Sequence, residues 1–121
     1  MTALSDLIAR LEAAPEGSRE LDAEVWAKVN GLEGEITAGW KLARWCWNVG
    51  SIGLWDDELP HYTTSLDAAL PGESVILSRR TDSGNWAALH SRGDGAGSIE
   101  GVGRTEALAR RIAALKAREA L

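Results

Sequence analysis

The 121-residue sequence has no phenylalanine, one tyrosine, one cysteine and three prolines. A single cysteine excludes an internal disulfide and any metal site built from cysteines alone, and it suits a reducing compartment. No run of about 18 apolar residues occurs, so no membrane span is expected. The opening stretch MTALSDLIARLEAAPEG lacks a basic start and its apolar residues are interrupted by charge. A signal peptide is therefore not expected, and the cytoplasm is the default location. Positive charge is also scarce, with 13 Lys and Arg against 18 Asp and Glu for a net charge of −5. The deficit is local: residues 1–60 carry 11 acidic and 5 basic side chains, and residues 61–121 carry 7 and 8. Such a chain is a poor candidate for phosphate-driven binding of nucleic acid. Its acidic half is either a solvated surface or a face for a basic partner.

What is present fits one domain over residues 1–121 with an α+β fold. Leu4, Leu7, Ile8 and Leu11 recur at helical spacing, predicting a helix over about 4–14. Ser18 can cap a second helix over about 19–30, which Asn30–Gly31 would stop. Thr64 or Ser65 can start a short helix over 65–70, and Thr105 a closing one over 105–118. Val75–Leu77 and Trp86–His90 flank the turn residues Asp82–Asn85, predicting a hairpin with strands over 74–80 and 85–91. A third strand is expected over 39–47, although its alternation is poor. Residues 93–103 read as a glycine loop, and Asp56–Pro60 as an exposed one. The expected architecture is a small antiparallel sheet of about three strands covered by helices.

Four of the six tryptophans fall in GWKLARWCWNVGSIGLW, residues 39–55. Without phenylalanine some tryptophans must fill the core, and Trp26 and Trp86 suit that role inside regular elements. Trp40, Trp45, Trp47 and Trp55 exceed what one glycine-interrupted segment needs for packing, so part of the segment is expected to bind a protein partner. The neighbouring Asp56, Asp57 and Glu58, with Glu33 and Glu35, would then face a basic partner. Catalytic and metal chemistry find little footing. Cys46 has only His61 and His90 as conceivable bases, and nothing in the spacing joins them. Asp56, Asp57, Glu58 and His61 form the best acidic cluster but lack a recognised ligand pattern. No catalytic residue, metal or cofactor is assigned. The glycine run with Gly103 and Arg104 before a helix offers a weak ligand site, since it is neither GxGxxG nor GxxxxGK[ST]. Arg79, Arg80, Arg92 and Arg104 could form a small basic patch, although alternation separates the first two.

Three segments, LIARLEAAPEGSRELDAEV, PHYTTSLDAALPGE and RTEALARRIAALKARE, together resemble the small phage and prophage proteins of the phage ABA-sandwich domain. That resemblance implies an α–β–α layered sandwich and a phage origin, and it carries no catalytic motif. The matching positions Leu21, Asp22, Tyr62, Thr63, Ser65, Asp67 and Thr105 look like capping and packing residues. The function expected is that of a non-enzymatic phage accessory protein contacting another protein, for example an anti-CRISPR-like inhibitor of host defence. The alternatives are a self-associating, homodimeric or virion-associated module and a binder of nucleotides or small ligands.

Overall fold

The computed structural model describes residues 4–91 and 97–119, and it is an α+β fold with three α-helices and two three-stranded antiparallel sheets. Helix α1 spans Leu4–Ala13, α2 spans Arg19–Val29 and α3 spans Glu106–Glu119. Each begins or ends as its local chemistry directs. The Ser18 hydroxyl accepts the Leu21 N–H at 3.1 Å and starts α2, while Thr105 does the same for Leu108 at 3.2 Å before α3. Gly31, at φ +67°, follows the end of α2, where a left-handed residue is needed. Leu7, Ile8 and Leu11 of α1, Leu21 and Val25 of α2, and Leu108, Ile112 and Leu115 of α3 meet in the main core with Tyr62 and Leu70.

The second sheet contains the expected hairpin, β4 (Val75–Arg80) and β5 (Trp86–Ser91), and adds β6 (Ser98–Gly103) along β5. Strand β6 corrects the glycine loop expected over 93–103, of which residues 93–96 lie outside the described residues. Its glycines serve packing. Helix α3 packs across this sheet, and a Cβ on Gly101 would stand 2.3 Å from the Ala113 nitrogen. Only a residue without a side chain lets strand and helix backbones approach so closely. Ala88, Ala109 and Ala113 fill the remaining contact.

The single strand expected over 39–47 is in fact two strands, β1 (Ile36–Lys41) and β2 (Arg44–Val49), followed by β3 (Ile52–Trp55). The three form the first sheet, so the described residues hold six strands rather than about three. The poor alternation in the sequence has a simple cause. A two-residue turn at Leu42–Ala43 shifts the parity, so that Trp40 and Trp45, five positions apart, fall on the same face. Ile36, Ala38 and Trp40 pair with Val49, Trp47 and Trp45, and Leu54 and Ile52 complete one apolar face. Trp47 is packed there with Ala23 of α2 and Leu59, beside Trp26, Ile36, Trp45 and Leu54.

The helix expected over 65–70 is absent, and that stretch is irregular with a turn at Leu66–Asp67. Two carbonyls that would have served it, Ser65 O and Leu66 O, instead accept Nη2 of Arg111, each at 2.8 Å. The Ala69 N–H bonds Asp67 O, two residues back. A buried arginine thus competes with the helix ladder for its acceptors.

Candidate functional site

Two arginine-centred networks fix the irregular segment 56–73 and, through it, the tryptophan-rich sheet. In the first, Asp22 is fully buried and receives the Thr63 N–H at 2.7 Å, the Thr63 hydroxyl at 2.6 Å and Arg19 Nη1 at 2.7 Å. Gly17 runs against the same threonine, where a Cβ would come within 2.1 Å of Thr63 O. Arg19 continues outward, donating to Asp56 O at 2.7 Å, Leu59 O at 2.9 Å and Asp56 Oδ1 at 3.1 Å. Asp56 Oδ1 also accepts the indole N–H of Trp47 at 2.8 Å. The Trp47 indole, and after it the Arg19 guanidinium, hold the Asp56 carboxyl below its ordinary 3.8 against the opposing effect of burial. Asp56 is therefore a structural acceptor at the start of a 3-10 turn over Asp56–Glu58, while Asp57 and Glu58 are exposed as expected, and Trp47, at 5% exposure, belongs to the core rather than to a contact surface.

In the second network Arg111 is fully buried and donates Nη1 to Glu73 Oε2 at 2.7 Å. Burial pushes the Glu73 carboxyl above its ordinary 4.5 even with Arg111 beside it, and burial likewise lowers the Arg111 guanidinium.

The outer end of the first sheet is built differently. Leu42 and Ala43 have φ of +52° and +64°, the pattern of a type I′ turn normally filled by asparagine and glycine. A β-carbon in this region costs roughly 1–2 kcal/mol per residue. The strained turn holds up apolar side chains: Leu42 is 83% exposed and Trp40 is 74% exposed. Trp40 packs edge-to-face on its cross-strand partner Trp45 at 5.3 Å, and Trp45 in turn meets Trp47 at 6.5 Å. An aromatic series thus runs from the core to solvent. On the opposite face Arg44 lies 4.3 Å from the Trp55 ring centre and is paired with Asp57 at 2.9 Å. Glu58 Oε1 accepts the Trp55 N–H at 3.4 Å.

The remaining expected positions separate. Cys46 is buried, and its thiol lies near Trp47 O and Asn48 rather than a histidine. His90 accepts the Ser74 N–H on Nε2 at 2.7 Å, so its Nδ1 carries the proton donated to Ser91 O at 2.6 Å. Among the described residues no group of three or more His, Cys, Asp or Glu side chains is arranged to hold a metal. Gly103 faces α3, its absent Cβ leaving room for Ala109 N at 3.0 Å, while Arg104 is exposed beyond it. Arg79 and Arg80 fall at successive positions of β4, opposite Ala87 and Trp86, and Arg92 lies outside the described residues. Trp26 and Trp86 are half-buried against the core clusters. The polar network of Arg19, Asp22 and Thr63 escaped the sequence reading as a network, although its members sit in the RELDA and HYTTS stretches. Among the described residues no helix is long and apolar enough to cross a membrane. Compared with known proteins, the chain matches no family model, no curated protein and no solved structure.

Proposed function

We propose that the protein is a non-enzymatic binding module that engages a protein partner through the tip of the β1–β2 hairpin. The observation that carries this reading is the exposure of Trp40 and Leu42 on a turn made without glycine or asparagine. Leaving a large apolar side chain in water forgoes about 1.5–3 kcal/mol of burial, and the positive-φ turn adds strain. Local strain that raises apolar groups into solvent is characteristic of contact sites, and tryptophan is enriched at the centres of interfaces. The phage resemblance supplies the biological form of the proposal: an accessory protein in the bacterial cytoplasm, with inhibition of a host defence protein as the version to test first. A nucleotide site at Gly103 and Arg104 has less in its favour, because Gly103 is committed to α3.

The test is the double substitution Leu42→Asn/Ala43→Gly. It supplies the residues the turn geometry prefers and removes the apolar tip. We expect stability in urea to rise by about 1–2 kcal/mol while capture of the partner from host lysate is lost, as it is in Trp40→Ala. Undiminished capture by both variants would overturn the reading.

A further inference from the structure

A groove of about 440 Å³ runs beside the hairpin, between the outer surfaces of α1 and α2 and the apolar face of the first sheet. The sheet side presents Ala38 and Trp45, and the groove ends beside Trp40 through the Trp40–Trp45 contact. The helix side is acidic. Glu20 and Glu24 stand four residues apart on α2 and so share one face, and Glu35 precedes β1. Among the described residues Arg10 is the one basic member of the lining, and it is already paired with Glu24. The second oxygen of that carboxylate, Glu24 Oε2, is buried and meets no donor among the described residues. Glu20 and Glu35 have no ion-pair partner among the described residues. Among the described residues the lining therefore carries three carboxylates against one guanidinium, beside the indoles of Trp45 and Trp47.

This combination selects its occupant by charge. Phosphate-bearing ligands are repelled. A second copy would bring its own acidic half, which carries 11 acidic and 5 basic residues over 1–60, against the same carboxylates. A guanidinium satisfies both walls, because it stacks on an indole and donates in a fork to carboxylates. The same protein already places a guanidinium on an indole at Arg44 and Trp55, 4.3 Å apart.

We infer that the groove receives an extended, arginine-bearing segment of the partner protein, with one guanidinium laid on Trp45 and held by Glu20 and Glu35. This deepens the hairpin reading and rests on it: the apolar tip supplies the anchor, and the groove supplies the selection for a basic partner.

The probe is an acetylated Gly-Arg-Gly-Arg-Gly amide, titrated into the full chain at low salt and followed by tryptophan emission. The expected result is a saturable change that weakens as salt rises and is absent with the glutamate-substituted peptide. The exposed pair Glu20→Gln/Glu35→Gln should weaken binding by about tenfold, and Trp45→Leu by a similar factor, while Glu119→Gln binds as wild type. No saturable change, equal binding by Glu20→Gln/Glu35→Gln, or a dimer in light scattering that excludes the peptide would each overturn the inference. The two readings fail separately. Partner capture that depends on Trp40 and Leu42 but not on Glu20 and Glu35 removes the groove and leaves the hairpin. Peptide binding in the groove with capture indifferent to Trp40 and Leu42 removes the hairpin.

Discussion

Arg111→Met is expected to remove about 3–5 kcal/mol of stability, because it leaves a buried charge without its counter-charge. In a chain of this size that is a fall in Tm of roughly 10–20 °C. Methionine keeps much of the volume but none of the donors. Ser65 O and Leu66 O lose the guanidinium, and the Glu73 carboxylate, 5% exposed, is left with the Leu70 N–H at 3.5 Å. The effect has a definite dependence on pH. Burial already raises the Glu73 carboxyl above its ordinary 4.5, and Arg111 is the largest influence opposing that rise. Removing Arg111 raises the folded-state value further. A raised carboxyl contributes stability that is fully present below the unfolded value and is lost as pH rises through the folded one. The deficit of Arg111→Met should therefore be smallest below pH 4.5 and grow toward neutrality. Adding Glu73→Gln removes that slope and recovers part of the loss, while the two carbonyls stay unpaired. Urea unfolding across pH measures all three. A deficit that does not change with pH would show that the carboxylate is not the source of the cost.

Asp22→Ala is expected to cost a similar amount, about 3–5 kcal/mol, for a different reason. Here an acceptor is lost from under three donors at once: the N–H and hydroxyl of Thr63 and Nη1 of Arg19. Thr63 is itself fully buried, so its N–H cannot turn to solvent. The damage should travel. Arg19 also positions Asp56, and Asp56 holds the Trp47 indole, so tryptophan emission should shift to the red in the native baseline, before unfolding. Asp22→Asn keeps the acceptor for Thr63 but presents an amide to Arg19, and it should fall between wild type and alanine. A loss below about 1 kcal/mol in Asp22→Ala would mean that the network orders the segment without stabilising it.

The features legible in the sequence were those written in local chemistry. The spacing of Leu7, Ile8 and Leu11, the caps Ser18 and Thr105, and the turn residues between β4 and β5 each declare themselves within a few positions. The misreadings arose where distant residues overrule local preference. Leu42–Ala43 carries no turn signal, yet strand pairing on both sides holds it at positive φ, and local preference alone reads the hairpin as one irregular strand. SLDAAL has a cap and good helix formers, but an arginine 45 residues away from Leu66 takes its carbonyl. Gly101 and Gly103 signal a loop unless the approach of α3 is known. Of the candidate site, the pairing of Glu20 with Glu24 could be read from their spacing. That Trp40 would be exposed and Trp47 buried could not, since it depends on where the sheet meets α2.

The order of strands in the two sheets has a kinetic consequence. Each strand pairs only with its neighbours along the chain, so both sheets are assembled from short loop closures, which are the fast events of folding. The arginine clamps instead join residues 37 to 46 positions apart. Contacts of that separation and that geometric demand belong after the rate-limiting barrier. If so, Arg111→Met leaves the refolding rate nearly unchanged and speeds unfolding by almost the whole of its stability loss. A chevron plot in which the folding limb moves instead would place the clamp in the transition state. On this view the hairpins govern how quickly the native state is reached, and two guanidinium groups, one buried and one half-buried, govern how long it persists.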